Sequence, residues 1–105
     1  MIMSNNEYKI MRLLWDASRP LTRAEILNGT KDRDWNPASI HLILNSMISK
    51  GAIKITDETK KYRRTYEACI SYYGYLFETL IVAVPDRTIL EIVNDCNMAI
   101  KEVEE

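Results

Sequence analysis

The stretch from Asn36 to Gly51, NPASIHLILNSMISKG, is marked as a helix at both ends, and what flanks it narrows the fold. Asn36 is a strong N-cap residue, and Pro37 suits the first helical position, where a missing N–H costs no hydrogen bond. At the other end Lys50 puts a cation in the last turn, and Gly51 stands where a helix commonly turns into left-handed backbone. Ile40, Ile43, Leu44, Met47 and Ile48 form one apolar stripe. Ala38, His41, Leu42, Asn45 and Ser49 lie opposite it, with Ser46 at the edge. The segment therefore predicts a helix over 37–50 with one side to bury and one side to present.

Two helices precede it. Ser4 and Glu7 have capping-box spacing, and Tyr8, Met11, Leu14 and Trp15 then recur at helical intervals, with Ile10 and Leu13 beside them. The helix breaks at SRP, because Arg19 precedes a proline and is pushed toward extended backbone. Thr22 and Glu25 repeat the capping-box spacing and open a short second helix, which ends near Asn28-Gly29. After Gly51 the period changes from 3.6 to 2. AIKIT and YRRTYEA alternate as strands on either side of the polar turn DETKK, which predicts a β-hairpin with a basic tip. Tyr62 and Tyr66 read as core-facing residues of that hairpin, and Trp15 as core of the first helix.

Three helices followed by a hairpin is the order of a winged helix-turn-helix. In that arrangement the third helix reads the major groove, and the hairpin, the wing, reaches neighbouring phosphates. The expected fold class is therefore mainly α with a small β-hairpin, as a winged helix-turn-helix over residues 1–70. A helical region over 71–105 follows, with YYGYLFETLIVA interrupted by Pro85 and a final helix opened by the Thr88/Glu91 capping box. Leu76 and Leu80 in the first of these, and Ile89, Ile92, Val93, Cys96 and Ile100 in the second, give more apolar surface than an appendage needs. A homodimer would bury it.

Charge follows the same division. Residues 1–72 hold twelve Lys and Arg against eight Asp and Glu, whereas residues 73–105 hold two against seven. A basic first part suits a polyanion, and an acidic second part suits a different task. With 47% hydrophobic and 28% charged residues the chain has the composition of a folded domain rather than a disordered one. No apolar run reaches the roughly 18 residues of a membrane span, and the N-terminus lacks the pattern of a signal peptide. A cytoplasmic protein is expected. Cys69 and Cys96 match no ligand spacing, so neither metal nor disulfide is predicted. There is no Ser/His/Asp arrangement, glycine-rich phosphate loop or carboxylate pair at a plausible cleft, so the chain is expected to be neither an enzyme nor a cofactor carrier.

The candidate DNA-contacting residues of the third helix are Ser39, His41, Leu42, Asn45, Ser46 and Ser49. Ser39 lies near the helix start, which favours phosphate. Asn45 can pair bidentately with adenine, and Leu42 can touch a thymine methyl. Phosphate contacts are assigned to Lys31 and Arg33 in the loop before this helix, and to Lys60, Lys61, Arg63 and Arg64 at the wing. Against this stands a second reading from another class. A winged helix with one cation in its third helix, an exposed Leu42 and a net charge of −1 also fits a protein-interaction module without specific DNA binding.

Four segments in register, EYKIMRLLWD, LTRAEIL, DWNPASIHLILNSMISKGAIK and YRRTYEA, resemble the BlaI/MecI penicillinase-repressor family. The resemblance covers residues 5–72 well and the remainder in outline. It implies a dimeric transcriptional repressor on a palindromic operator, with double-stranded DNA as its ligand and, in many members, a sensor protease that inactivates it by cleavage in the C-terminal region. The family's third helix usually reads Ser/Thr-Thr/Ser-Ile/Val-x-Thr-x-Leu-x-Arg-Leu. Here Leu42 stands at the threonine and Ser46 at the arginine. The cysteine pairs of the copper-responsive branch are absent.

Overall fold

Local signals start each element. In the computed structural model, which describes residues 1–56 and 64–104, α1 runs Asn5–Ala17 from the N-cap Ser4. The Ser4 hydroxyl accepts from the Glu7 amide, and the Glu7 carboxylate accepts from the Ser4 amide, so two orphan donors are satisfied reciprocally. Ser18 ends the helix in left-handed backbone. Leu21–Thr22 then forms a two-residue strand, β1, and Thr22 is at once its last residue and the N-cap of α2, Arg23–Gly29. A single conformation serves both roles, because an N-cap residue is itself extended.

The third helix departs from the expectation of one α-helix over 37–50. Pro37–Ser39 is a 3₁₀ turn, with the Ser39 amide donating to Asn36 O at 2.8 Å, and α3 proper is Ile40–Ser49. Asn36 caps that turn through Ala38 N rather than capping the α-helix. Tightening of this kind at a helix start is common, since i→i+3 bonds satisfy donors the α-helix leaves orphaned. The other end follows the glycine signal. Gly51 has φ 76°, its amide donates to Ile48 O, and Ala52 N donates to Met47 O, the two bonds of a Schellman motif.

That motif turns the chain into β2, Ile53–Ile55, which pairs antiparallel with β3, Thr65–Ala68. The hairpin is extended to a three-stranded sheet in the order β1-β3-β2, with Leu21 opposite Tyr66. The core collects the apolar stripe of every element: Ile10, Met11 and Leu14 from α1, Leu21, Ile26 from α2, Ile40, Leu44 and Met47 from α3, then Ile53 and Tyr66. Trp15 is packed at its margin rather than within it, and its indole N–H donates to Ile70 O at 2.8 Å. The architecture is a winged helix-turn-helix with helices beyond it.

The chain divides into two compact units, Met1–Tyr72 and Tyr73–Glu105. The second contains most of α4, Tyr72–Ala83, and all of α5, Ile89–Glu104. The Thr88/Glu91 capping box opens α5, and Arg87 holds Asp95 through two bonds of 3.0 Å and Glu91 at 2.7 Å. Among the described residues no helix is long and apolar enough to cross a membrane.

Candidate nucleic-acid interface

Three core anchors, Ile40, Leu44 and Met47, pin one side of α3 and thereby expose the other. His41, Leu42, Asn45, Ser46 and Ser49 are all exposed, and Leu42 keeps 62% of its accessible surface. Ser39 is half-buried in the 3₁₀ turn. Residues three and four apart are neighbours on a helix, so Leu42, Asn45 and Ser49 run along one line with His41 beside Asn45.

The orientation of that face is held from α1. Glu7 is buried, and its carboxylate does more than cap its own helix. Lys50 Nζ donates to Glu7 Oε1 at 2.6 Å, and Ser46 Oγ donates to Glu7 Oε2 at 3.4 Å. Burial alone would raise the Glu7 pKa. The hydrogen bonds from Lys50 and from the Ser4 amide and hydroxyl, with the charge of Lys50, outweigh it and hold the carboxyl below its ordinary value. The last turn of α3 is thus tied to the first turn of α1 by a charged, partly desolvated clasp. Ser46, expected at DNA, also bonds within this clasp, as does Lys50, the C-cap of α3.

The segment between α2 and α3 is pinned in a similar way. Thr30 is buried, with its hydroxyl donating to Ile26 O at 2.8 Å. Arg33 Nη1 donates to Leu27 O at 2.7 Å and Thr30 O at 2.9 Å, and its guanidinium lies 5.5 Å over the Trp35 ring. Arg33 therefore satisfies carbonyls at the end of α2, an internal engagement that its position in a polar loop did not suggest. Lys31 is exposed in the same loop, and Arg64 is exposed at the start of the returning strand. Lys60, Lys61 and Arg63 lie outside the described residues. Arg23 is a further exposed cation, at the start of α2.

In the second unit Leu76, Ile89, Val93 and Ile100 are exposed, Leu80 and Cys96 are half-buried, and Ile92 is buried. Tyr73, Val82, Leu90 and Val103 add to the exposed apolar surface. Ile89, Val93, Cys96, Ile100 and Val103 follow one another at intervals of four and three, the spacing of a coiled-coil seam.

The family model described as penicillinase repressor matches residues 3–104, nearly the whole chain. A comparison with curated proteins finds no match.

Proposed function

Because the chain belongs to the penicillinase repressor family, whose members are DNA-binding transcriptional repressors, we propose that it represses transcription as a homodimer bound to a two-fold operator. In this reading residues 1–70 bind DNA and residues 71–105 dimerise. α3 enters the major groove of each half-site, and the wing and the loop before α3 grip phosphates on either side. The observation that carries the reading is the exposed polar line His41, Asn45 and Ser49 on a helix whose opposite face is anchored in the core. Dimerisation is supported by the seam from Ile89 to Val103, which stays open to solvent in the single chain. Two reading helices related by a two-fold axis recognise half-sites about one helical turn, or a multiple of it, apart. From the family resemblance we carry over a sensor protease as the releasing partner, acting on the region that holds the protomers together.

The test is binding measured against salt. Affinity for an operator-containing duplex falls steeply as salt rises, and a Lys60/Lys61/Arg63→Ala variant binds with a slope shallower by about 0.9 for each phosphate contact removed. Binding that ignores salt, or equal slopes for the two proteins, refutes the assignment of the wing. The rival reading, a winged protein-interaction module, draws on the exposed Leu42 and on the neutralisation of Lys50 by Glu7. It gains if no duplex is bound at any salt concentration while the folded dimer is intact.

A further inference from the structure

The exposed face of α3 has no cation to offer. Lys50, the C-cap residue of α3, is bound to Glu7 at 2.6 Å, and Arg33, in the segment before the helix, is bonded to the carbonyls of Leu27 and Thr30. Ser46 donates to Glu7 as well. Around His41 the face presents an isobutyl group, a carboxamide and a hydroxyl, from Leu42, Asn45 and Ser49. The Asn45 side chain takes part in none of the side-chain hydrogen bonds among the described residues.

These groups differ in what they can read. The O6/N7 edge of guanine is matched best by the paired donors of Arg or by Lys, and no such group is available on this face. A carboxamide matches adenine, accepting from N6 and donating to N7. An aliphatic end matches the C5 methyl of thymine and gains nothing beside a phosphate. Leu42 and Asn45 are three residues apart, with Cβ atoms about 5–6 Å from one another. Base pairs stack about 3.4 Å apart, so the two side chains address base pairs that are adjacent or next but one.

Resting on the DNA-binding reading above, we propose that each operator half-site carries a thymine read by Leu42 and an adenine read by Asn45, within two base pairs of each other. Glu7 is the positioning residue of this device. By engaging Lys50 and Ser46 it occupies both side chains and ties the turn of helix beside Asn45 to α1. Specificity then lies with apolar and amide contacts, while phosphate affinity is left to cations elsewhere in the first unit.

The full-length protein is used to select duplexes from random DNA. The selected sites are expected to be two-fold and to hold a thymine and an adenine at this spacing in each half. On the selected duplex, uracil in place of that thymine removes one methyl group. It is expected to weaken binding about fourfold, the worth of one buried methyl, and to leave the Leu42→Ala variant unaffected. 7-Deazaadenine removes only N7. It is expected to weaken binding at least about fivefold and to leave Asn45→Ala unaffected. The base analogues test the wild-type protein directly, so the result does not depend on how either variant folds. Selected sites with G·C pairs at these positions, or wild-type binding indifferent to both analogues, overturn the inference and leave DNA binding standing. Failure to select any sequence overturns the DNA-binding reading itself.

Discussion

Replacing Glu7 by glutamine removes one charge and almost no volume, so it isolates what the clasp between α1 and α3 contributes. The Glu7 side chain is 7% exposed, Lys50 is 34% exposed, and the contact is 2.6 Å. Breaking one side of a fully buried ion pair costs about 3–5 kcal/mol, and an exposed pair contributes about 0–1. A buried carboxylate with a half-buried partner lies between these, at about 2 kcal/mol for Glu7→Gln, since the amide keeps an acceptor for Ser4 N. For a unit of this size that lowers the melting temperature by about 10 °C. The stringent measurement is a double-mutant cycle with Lys50→Met, which retains the aliphatic stem. Its coupling is expected at about 1–2 kcal/mol at neutral pH, and less sensitive to salt than a surface pair because the Glu7 side is buried.

The pH dependence has a definite sign. The folded-state pKa of Glu7 is lowered, so its contribution is fully present above the ordinary carboxyl value of 4.5 and is lost as pH falls through the lowered folded value. The coupling should vanish over that window. Lys50→Met should also leave the salt slope of DNA binding unchanged, whereas a Lys50 that gripped phosphate would lower it by about 0.9. A coupling below about 0.3 kcal/mol at neutral pH, the scatter of independent sites, refutes the clasp.

Two further outcomes follow from the same geometry. Gly51 has φ 76° with open space around its Cα, so Gly51→Ala costs about 1 kcal/mol of backbone strain and no steric clash; urea denaturation measures it, and Gly51→Asn should cost less. Val93→Lys puts a charge in the middle of the α5 seam and is expected to convert the proposed dimer to monomer in sedimentation. A variant that remains dimeric places the interface elsewhere.

What was legible in the sequence was local. The pairs Ser4/Glu7, Thr22/Glu25 and Thr88/Glu91 are three residues apart, and each forms its capping box as spaced. Gly51 announced a left-handed turn, and the change of period after it announced the β2–β3 hairpin. The features that escaped are those whose partners lie far along the chain. Lys50 and Glu7 are 43 residues apart, and nothing in either neighbourhood signals the other. β1 is two residues long and exists only because β3 passes beside it, so Leu21 and Thr22 carried no strand pattern of their own. The carbonyl bonds of Arg33 escaped for a different reason. A cation in a polar stretch looks solvated until the orphan carbonyls at the end of a preceding helix are counted, and here it is spent on two of them.

In the proposed docking, a helix without a free cation must read DNA whose attraction comes from elsewhere on the protein. A duplex is a polyanion, and affinity for it scales with the phosphates neutralised, wherever on the protein the cations sit. Within the first unit Lys9, Arg12, Arg19 and Lys50 are matched by Asp32, Asp16, Glu25 and Glu7. The Arg19 pair is tight enough to hold the Glu25 carboxyl at a pKa of about 2. The cations that remain exposed outside these pairs include Arg23 on α2, Lys31 before α3 and Arg64 after the hairpin turn, flanking α3 in sequence on both sides. If the proposed docking holds, phosphate attraction comes from these and from Lys60, Lys61 and Arg63, and it is indifferent to sequence. A free cation at α3 would add to that attraction on every duplex, besides being able to read guanine. In the proposed docking, Lys50 held by Glu7 adds nothing to it, and discrimination falls to Leu42 and Asn45.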